Sequence, residues 1–229
     1  MAKNALCIGI NELPARSTQR FSILFVGDIL LANEAEKHIH KKGIEYPFWK
    51  IKEELLKYDF IFANMESPIT KRGTPLVEKP YIFRVKPEDA VCLKDLKIDA
   101  VSISNNHLMD YNIEGMVDTI AALDRLNIRH TGGGMNLDEA RRPVMLKYGD
   151  TTIVILAYCN RPPEEYYATD SLPGIAPLDL NLIREDIASQ VGEVRKSLHD
   201  FMQQPVDAAR FGGRTPEEWT HTYDERYLL

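Results

Sequence analysis

The sequence predicts an α/β fold built on a parallel sheet, and three observations predict it. Short apolar runs rich in β-branched and aromatic residues recur at residues 21–26, 59–63 and 99–104. Helical patterns with apolar stripes separate them. Each run stops at side chains able to do chemistry: Gly27-Asp28, Asn64-Met65-Glu66 and Asn105-Asn106-His107. The spacing is even, 66 − 28 = 38 and 106 − 66 = 40 residues. That suits strand–helix–strand units whose equivalent ends line one sheet edge, where open α/β sheets bind ligands.

Length and composition bound the answer. A chain of 229 residues can bury one sizeable core, and 44% apolar with 27% charged residues is ordinary for a globular protein. The net charge of −6 and the lack of a long basic run exclude broad nucleic-acid binding. Cys7, Cys92 and Cys159 are widely spread and form neither a zinc knot nor a disulfide framework. No apolar segment is long enough to span a bilayer, and the N-terminus lacks a signal-peptide pattern, so the chain as written reads as cytoplasmic.

In chain order, the strand at residues 21–26 hands over to Asp28, which taken alone reads equally as a helix cap or as a ligand. Residues 33–42 predict a helix ended by Gly43, with His38 and His40 on different sides of it and both at the surface. Residues 47–57 predict a second helix with Phe48, Ile51, Leu55 and Leu56 as its core stripe. After the strand at 59–63, a long polar connection carries Lys79, Tyr81 and Arg84; Lys79 reads as a solvated cation. Residues 87–96 predict a helix, and residues 99–104 a strand. Asn112 is expected to cap a helix with Glu114 in its first turn that runs to about Leu126. A strand at 128–131 runs into Gly132-Gly133-Gly134, a turn suited to an anion or to tight passage. Gly149-Asp150 signals a hairpin between 143–148 and 151–158. Residues 160–177 read as a loop or lid, and 178–199 as an amphipathic helix.

Asp28, Glu66 and Asn106 therefore converge on one edge. Two carboxylates and an amide oxygen repel one another unless a cation sits between them, so they are candidate metal ligands. Oxygen-rich donors suit one or two divalent ions of the Mn, Mg, Zn or Fe kind. His107, beside the amide, is placed to give a proton to a leaving oxygen.

The stretches G-D-I-L-L, N-M-E-S-P-I-T, K-P-Y-I-F-R, S-N-N-H-L-M-D-Y, G-G-G-M-N-L-D-E-A-R-R-P and I-V-I-L-A-Y occur in this order. They resemble the CapA family of poly-gamma-glutamate capsule-synthesis proteins, whose domain is similar to the calcineurin-like metallophosphatases. The likeness covers residues 21–199, leaving 1–20 as an N-terminal extension and 200–229 as a divergent tail. It implies a metallophosphatase-like α/β/β/α sandwich with a two-metal site at strand ends. Carried over by residue, Asp28, Glu66 and Asn106 would hold metal, His107 would be catalytic, and Asn64 and Arg84 would be substrate-binding groups. It also implies an anionic polymer or phosphoester substrate, and family members are often membrane-associated or exported. The family's later His-Trp-Gly and His-Pro-His segments have no match here. This predicts a domain lacking its C-terminal strands, with a sheet left for a partner protein to cover. Two functions follow as expectations: a metal-dependent phosphoesterase-like hydrolase, or a truncated, non-catalytic scaffold.

Overall fold

The computed structural model describes residues 20–77, 79–149 and 151–191. The chain divides into two compact units, Met1–Asp179 and Leu180–Leu229. The first holds a four-stranded parallel sheet in the order β1-β2-β3-β4. Its strands are β1 (Ile23–Ile29), β2 (Phe60–Met65), β3 (Ala100–Ser102) and β4 (Arg129–Thr131). Helices α1 (Glu34–Lys42), α2 (Lys52–Leu55), α3 (Cys92–Asp95) and α4 (Asn112–Leu126) lie in the connections between them. The α/β class and the parallel sheet are therefore as the sequence predicts.

Alternation along β2 explains the layering. Ile61, Ala63 and Met65 are buried in the main core with Ile39 of α1, Leu93 of α3 and Met116 and Leu123 of α4. Phe60 and Phe62 point to the opposite face. There they pack with Val144, Leu146 and Ile155 of a hairpin, β6 (Val144–Tyr148) and β7 (Thr151–Ile155). Helices thus cover one face of the sheet and a β-hairpin lies against the other. Each fully buried side chain of this size contributes about 1.5–3 kcal/mol, so both faces matter to stability.

Two strands run further than the sequence pattern suggests. β1 continues through Gly27 and Asp28 to Ile29, and β2 continues through Asn64 to Met65. Pairing is irregular between Phe25 and Asp28, then resumes with Asp28 opposite Asn64. The polar residues are thus set within the ladder, and backbone pairing rather than a loop fixes their positions.

The helix expected over residues 47–57 is mostly turns. Backbone bonds of the i to i+3 kind (Tyr46 N to Gly43 O, Phe48 N to Glu45 O, Ile51 N to Phe48 O) precede a four-residue helix at Lys52–Leu55. Leu55 is buried and Phe48 partly so, while Ile51 and Leu56 stay exposed. Half of the predicted stripe has no core to face, and packing overrides the pattern. Asn112 does not cap α4 either. It is the helix's first residue, at φ 56°, and its side-chain amide donates to Thr74 O at 2.7 Å.

The glycine triplet serves packing rather than an open anion-binding turn. β5 (Gly133–Gly134) pairs antiparallel with β8 (Gly174–Ile175), and both glycines are buried. Gly132, at φ +104°, passes so close to Ser104 that a Cβ there would sit 2.4 Å from the serine Cβ. The short helix α5 (Leu137–Ala140) follows, with Asn136 Oδ1 accepting from Glu139 N at 2.9 Å as a cap.

In the second unit, helix α6 spans Leu180–Val191. Residues 1–19 of the N-terminal extension, residues 192–199 of the expected 178–199 helix and the tail from 200 lie outside the described residues. No helix among the described residues is long and apolar enough to cross a membrane.

Candidate functional site

Parallel pairing puts the C-terminal ends of β1, β2 and β3 on one edge, and the polar residues meet there. Asn64 is at the centre. Its Nδ2 donates to Asp28 Oδ1 at 2.8 Å and to Glu66 Oε2 at 2.6 Å. Its Oδ1 accepts from Asn105 Nδ2 at 3.1 Å. One amide therefore holds two carboxylates, one exposed (Asp28) and one half-buried (Glu66).

That crowding shows in the electrostatics. Burial pushes the Glu66 carboxyl above the usual carboxylate range, and the neighbouring Asp28 charge adds to the effect. His107 and the Asn64 amide oppose it, incompletely.

Asn105 builds the turn after β3. It is buried, and all of its hydrogen-bonding capacity for structure is engaged. Nδ2 donates to Asn64 Oδ1 and, at 2.8 Å, to Met65 O; Oδ1 accepts from His107 N and Leu108 N, both at 2.9 Å. It joins the ends of β2 and β3 and fixes the start of the segment that carries His107. Asn106 is less buried, and the hydrogen bond found for it among the described residues is through its carbonyl, which accepts from Lys79 Nζ at 2.6 Å.

His107 is only 8% exposed. Its Nδ1 lies 2.7 Å from Asp110 Oδ2, and its Nε2 lies 3.7 Å from Glu66 Oε1. The second separation is too long for a hydrogen bond but well within electrostatic reach. Phe83 stacks on the imidazole with ring centroids 4.2 Å apart. Asp110 is fully buried and also meets Phe83 N, which donates to Oδ2 at 2.7 Å, and the Lys79 ammonium, which pairs with Oδ1. An acceptor facing three donors selects the tautomer with the proton on Nδ1, leaving Nε2 toward Glu66.

The structure thus brings Asp28, Asn64, Glu66 and His107 into one connected network, with Asn106 in the adjoining backbone. Arg84 is not part of that network. It is exposed, with its guanidinium 4.8 Å over the Tyr111 ring. Lys79, read from the sequence as a solvated cation, is instead held by the buried Asp110. Sequence reasoning names Asn105 within the polar Asn105-Asn106-His107 end without giving it a role, and does not single out Asp110 or Phe83. The spacing His107–Asp110, three apart in a turn, was the signal available for the carboxylate. Burial pushes the Cys92 thiol up to about 12 and the Cys159 thiol upward as well, so neither is poised as a nucleophile.

Residues 22–203 match the family described as "Bacterial capsule synthesis protein PGA_cap". The PGA biosynthesis protein CapA of Bacillus subtilis is 28% identical over 176 residues, 75% of this chain and 46% of that protein. The capsule biosynthesis protein CapA of Bacillus anthracis is 22% identical over 176 residues, 76% of this chain and 43% of its own length. A probable polyglutamine synthesis accessory protein of Mycobacterium tuberculosis is 30% identical over 141 residues, 58% of this chain and 37% of its own. The chain spans less than half the length of each of these relatives. With the family match extending over most of its residues, this chain belongs to the bacterial capsule synthesis protein family PGA_cap.

Proposed function

We propose that this chain carries a metallophosphatase-like α/β/β/α domain that acts in capsule or poly-gamma-glutamate synthesis as a metal-dependent hydrolase of a phosphoryl or acyl centre. The observation that carries the reading is the run of contacts Asp28–Asn64–Glu66–His107 at the strand ends. The names of the relatives supply the biological setting.

The donor set fits a divalent cation. Asp28 and Glu66 crowd one amide, and burial together with the Asp28 charge holds the Glu66 carboxyl above its usual range. Asp28 and Glu66 would hold an ion, with the Asn106 amide as the third donor; Mn, Mg, Zn or Fe match such oxygens. A bound ion there supplies Lewis-acid polarisation of the scissile centre. The chain's own residues do the rest. Asp110 holds the His107 ring through its Nδ1–H, the doubly protonated imidazolium would give its Nε2 proton to the leaving oxygen and return to the Nδ1–H tautomer, and Phe83 shields that ring from water. The exposed Arg84 guanidinium, stacked on Tyr111, would meet an anionic polymer or phosphoester.

The test is phosphoester turnover with Mn2+ titrated into the purified chain. Asp28→Ala and His107→Ala should each lower kcat/KM by about 10²–10⁴-fold. Turnover unchanged in both variants would remove the mechanism. A second reading, a non-catalytic scaffold, is favoured by one feature: the network described here contains a single imidazole. It predicts neither turnover nor divalent-ion binding that depends on Asp28 and Glu66.

A further inference from the structure

A second cluster of ligand-type side chains lies outside that network. Glu36 and His40 are four apart on α1, so they share a face of the helix. Asp89, in the short 3₁₀ turn (Asp89–Val91) before α3, meets them there. His40 Nε2 lies 3.2 Å from Asp89 Oδ2, and one donor atom from each of the three residues falls within 4.8 Å of the others.

Three features separate this cluster from a surface ion pair. First, it mixes an imidazole with two carboxylates, which is the donor chemistry of zinc rather than of a hard ion. Second, the Asp89 side chain is only 8% exposed, yet the side-chain partner found for it among the described residues is a His40 ring that is 48% exposed. A carboxylate that deep is costly unless strongly compensated. Third, the nearest cation is taken. Lys86 Nζ lies 2.7 Å from Glu36 Oε1, on the far carboxylate of the trio, and holds that carboxyl below its usual range. Glu36 is thus kept ionised beside the imidazole.

We propose that Glu36, His40 and Asp89 form a zinc site that clips α1 to the turn before α3. Ligand atoms around tetrahedral zinc, with bonds of about 2.0–2.1 Å, stand roughly 3.3 Å apart, the separation His40 and Asp89 already have. Glu36, a half-exposed side chain, closes the third position by rotating away from Lys86. The ion replaces the proton shared by His40 and Asp89, and water completes the coordination. The site shares no residue with the Asp28–Glu66 network, so it does not rest on the hydrolase reading.

The experiment titrates ZnCl2 calorimetrically into the metal-free chain carrying Asp28→Asn and Glu66→Gln. That background should still bind one equivalent of zinc. Adding His40→Ala or Glu36→Gln should weaken binding by at least about tenfold. Lys86→Met should tighten it, because the lysine competes for Glu36. Cobalt(II) in place of zinc should give visible absorption that His40→Ala abolishes. In the unaltered chain His40→Ala should remove one equivalent of zinc and leave phosphoester turnover unchanged. Absence of zinc binding in both the unaltered chain and the Asp28→Asn/Glu66→Gln background, or binding indifferent to both His40→Ala and Glu36→Gln, would overturn the site whatever becomes of the hydrolase reading.

Discussion

Asp110 is the residue on which the orientation of His107 rests. Its carboxylate is fully buried and accepts from the imidazole, from Phe83 N and from Lys79. Asp110→Asn keeps the shape but loses the Lys79 pair and the tautomer selection, so kcat should fall by about 10–100-fold. Asp110→Ala leaves the lysine partly buried and unpaired, which should cost about 3–5 kcal/mol in urea unfolding. Glu66 offers a pH test. Its carboxyl is raised in the folded state by burial and by Asp28, so the folded protein holds that proton more tightly than the unfolded chain does. Metal-free stability should therefore fall as pH rises from the ordinary carboxylate range through the raised Glu66 value. Glu66→Gln should flatten that part of a Tm-against-pH profile, and a profile with the same slope in both proteins would refute the assignment. The residue types at this edge, Asp28, Glu66 and His107, could be read from the sequence because each follows an apolar run. The roles of Asn105 and Lys79 could not, because their partners lie up to 41 residues away, and only the three-residue spacing to His107 hinted at Asp110.

At the scale of elements, backbone pairing and close approach decide more than local preference. β1 and β2 extend into their polar residues, so the carboxylate and the amide are set by the ladder itself. Gly132 is a second case. It needs a positive φ, and Ser104 backbone atoms lie 2.7 and 2.9 Å from where its Cβ would be. Gly132→Ala should therefore destabilise by about 2–3 kcal/mol, measured by denaturant unfolding, and should shift the turn after β3 that carries Asn105. An unchanged midpoint would mean that the two segments separate easily. The α4 helix was legible apart from its cap, since its apolar stripe meets a real core at Met116 and Leu123. The helix expected from Pro47 was not, because only Phe48 and Leu55 of its stripe find a core to face.

At the scale of the whole molecule, the sheet order leaves β1 at one end, and Phe25 on that strand is 62% exposed beside Phe62. An apolar ring on an edge strand is a natural place for another chain to pair. Phe25→Lys should reduce concentration-dependent association in sedimentation velocity while changing unfolding free energy by no more than about 0.5 kcal/mol. A protein that is monomeric at every concentration would show that this edge recruits nothing by itself. The sequence alone determined the α/β class, the parallel order of strand–helix units and the family, because period, spacing and local motif are written along the chain. Only the tertiary structure decided that Asn64 bridges Asp28 and Glu66, that Asp110 orients His107, and that Glu36, His40 and Asp89 meet. Those contacts depend on register and on the burial of distant partners, and no local pattern encodes the distance between two side chains on different elements.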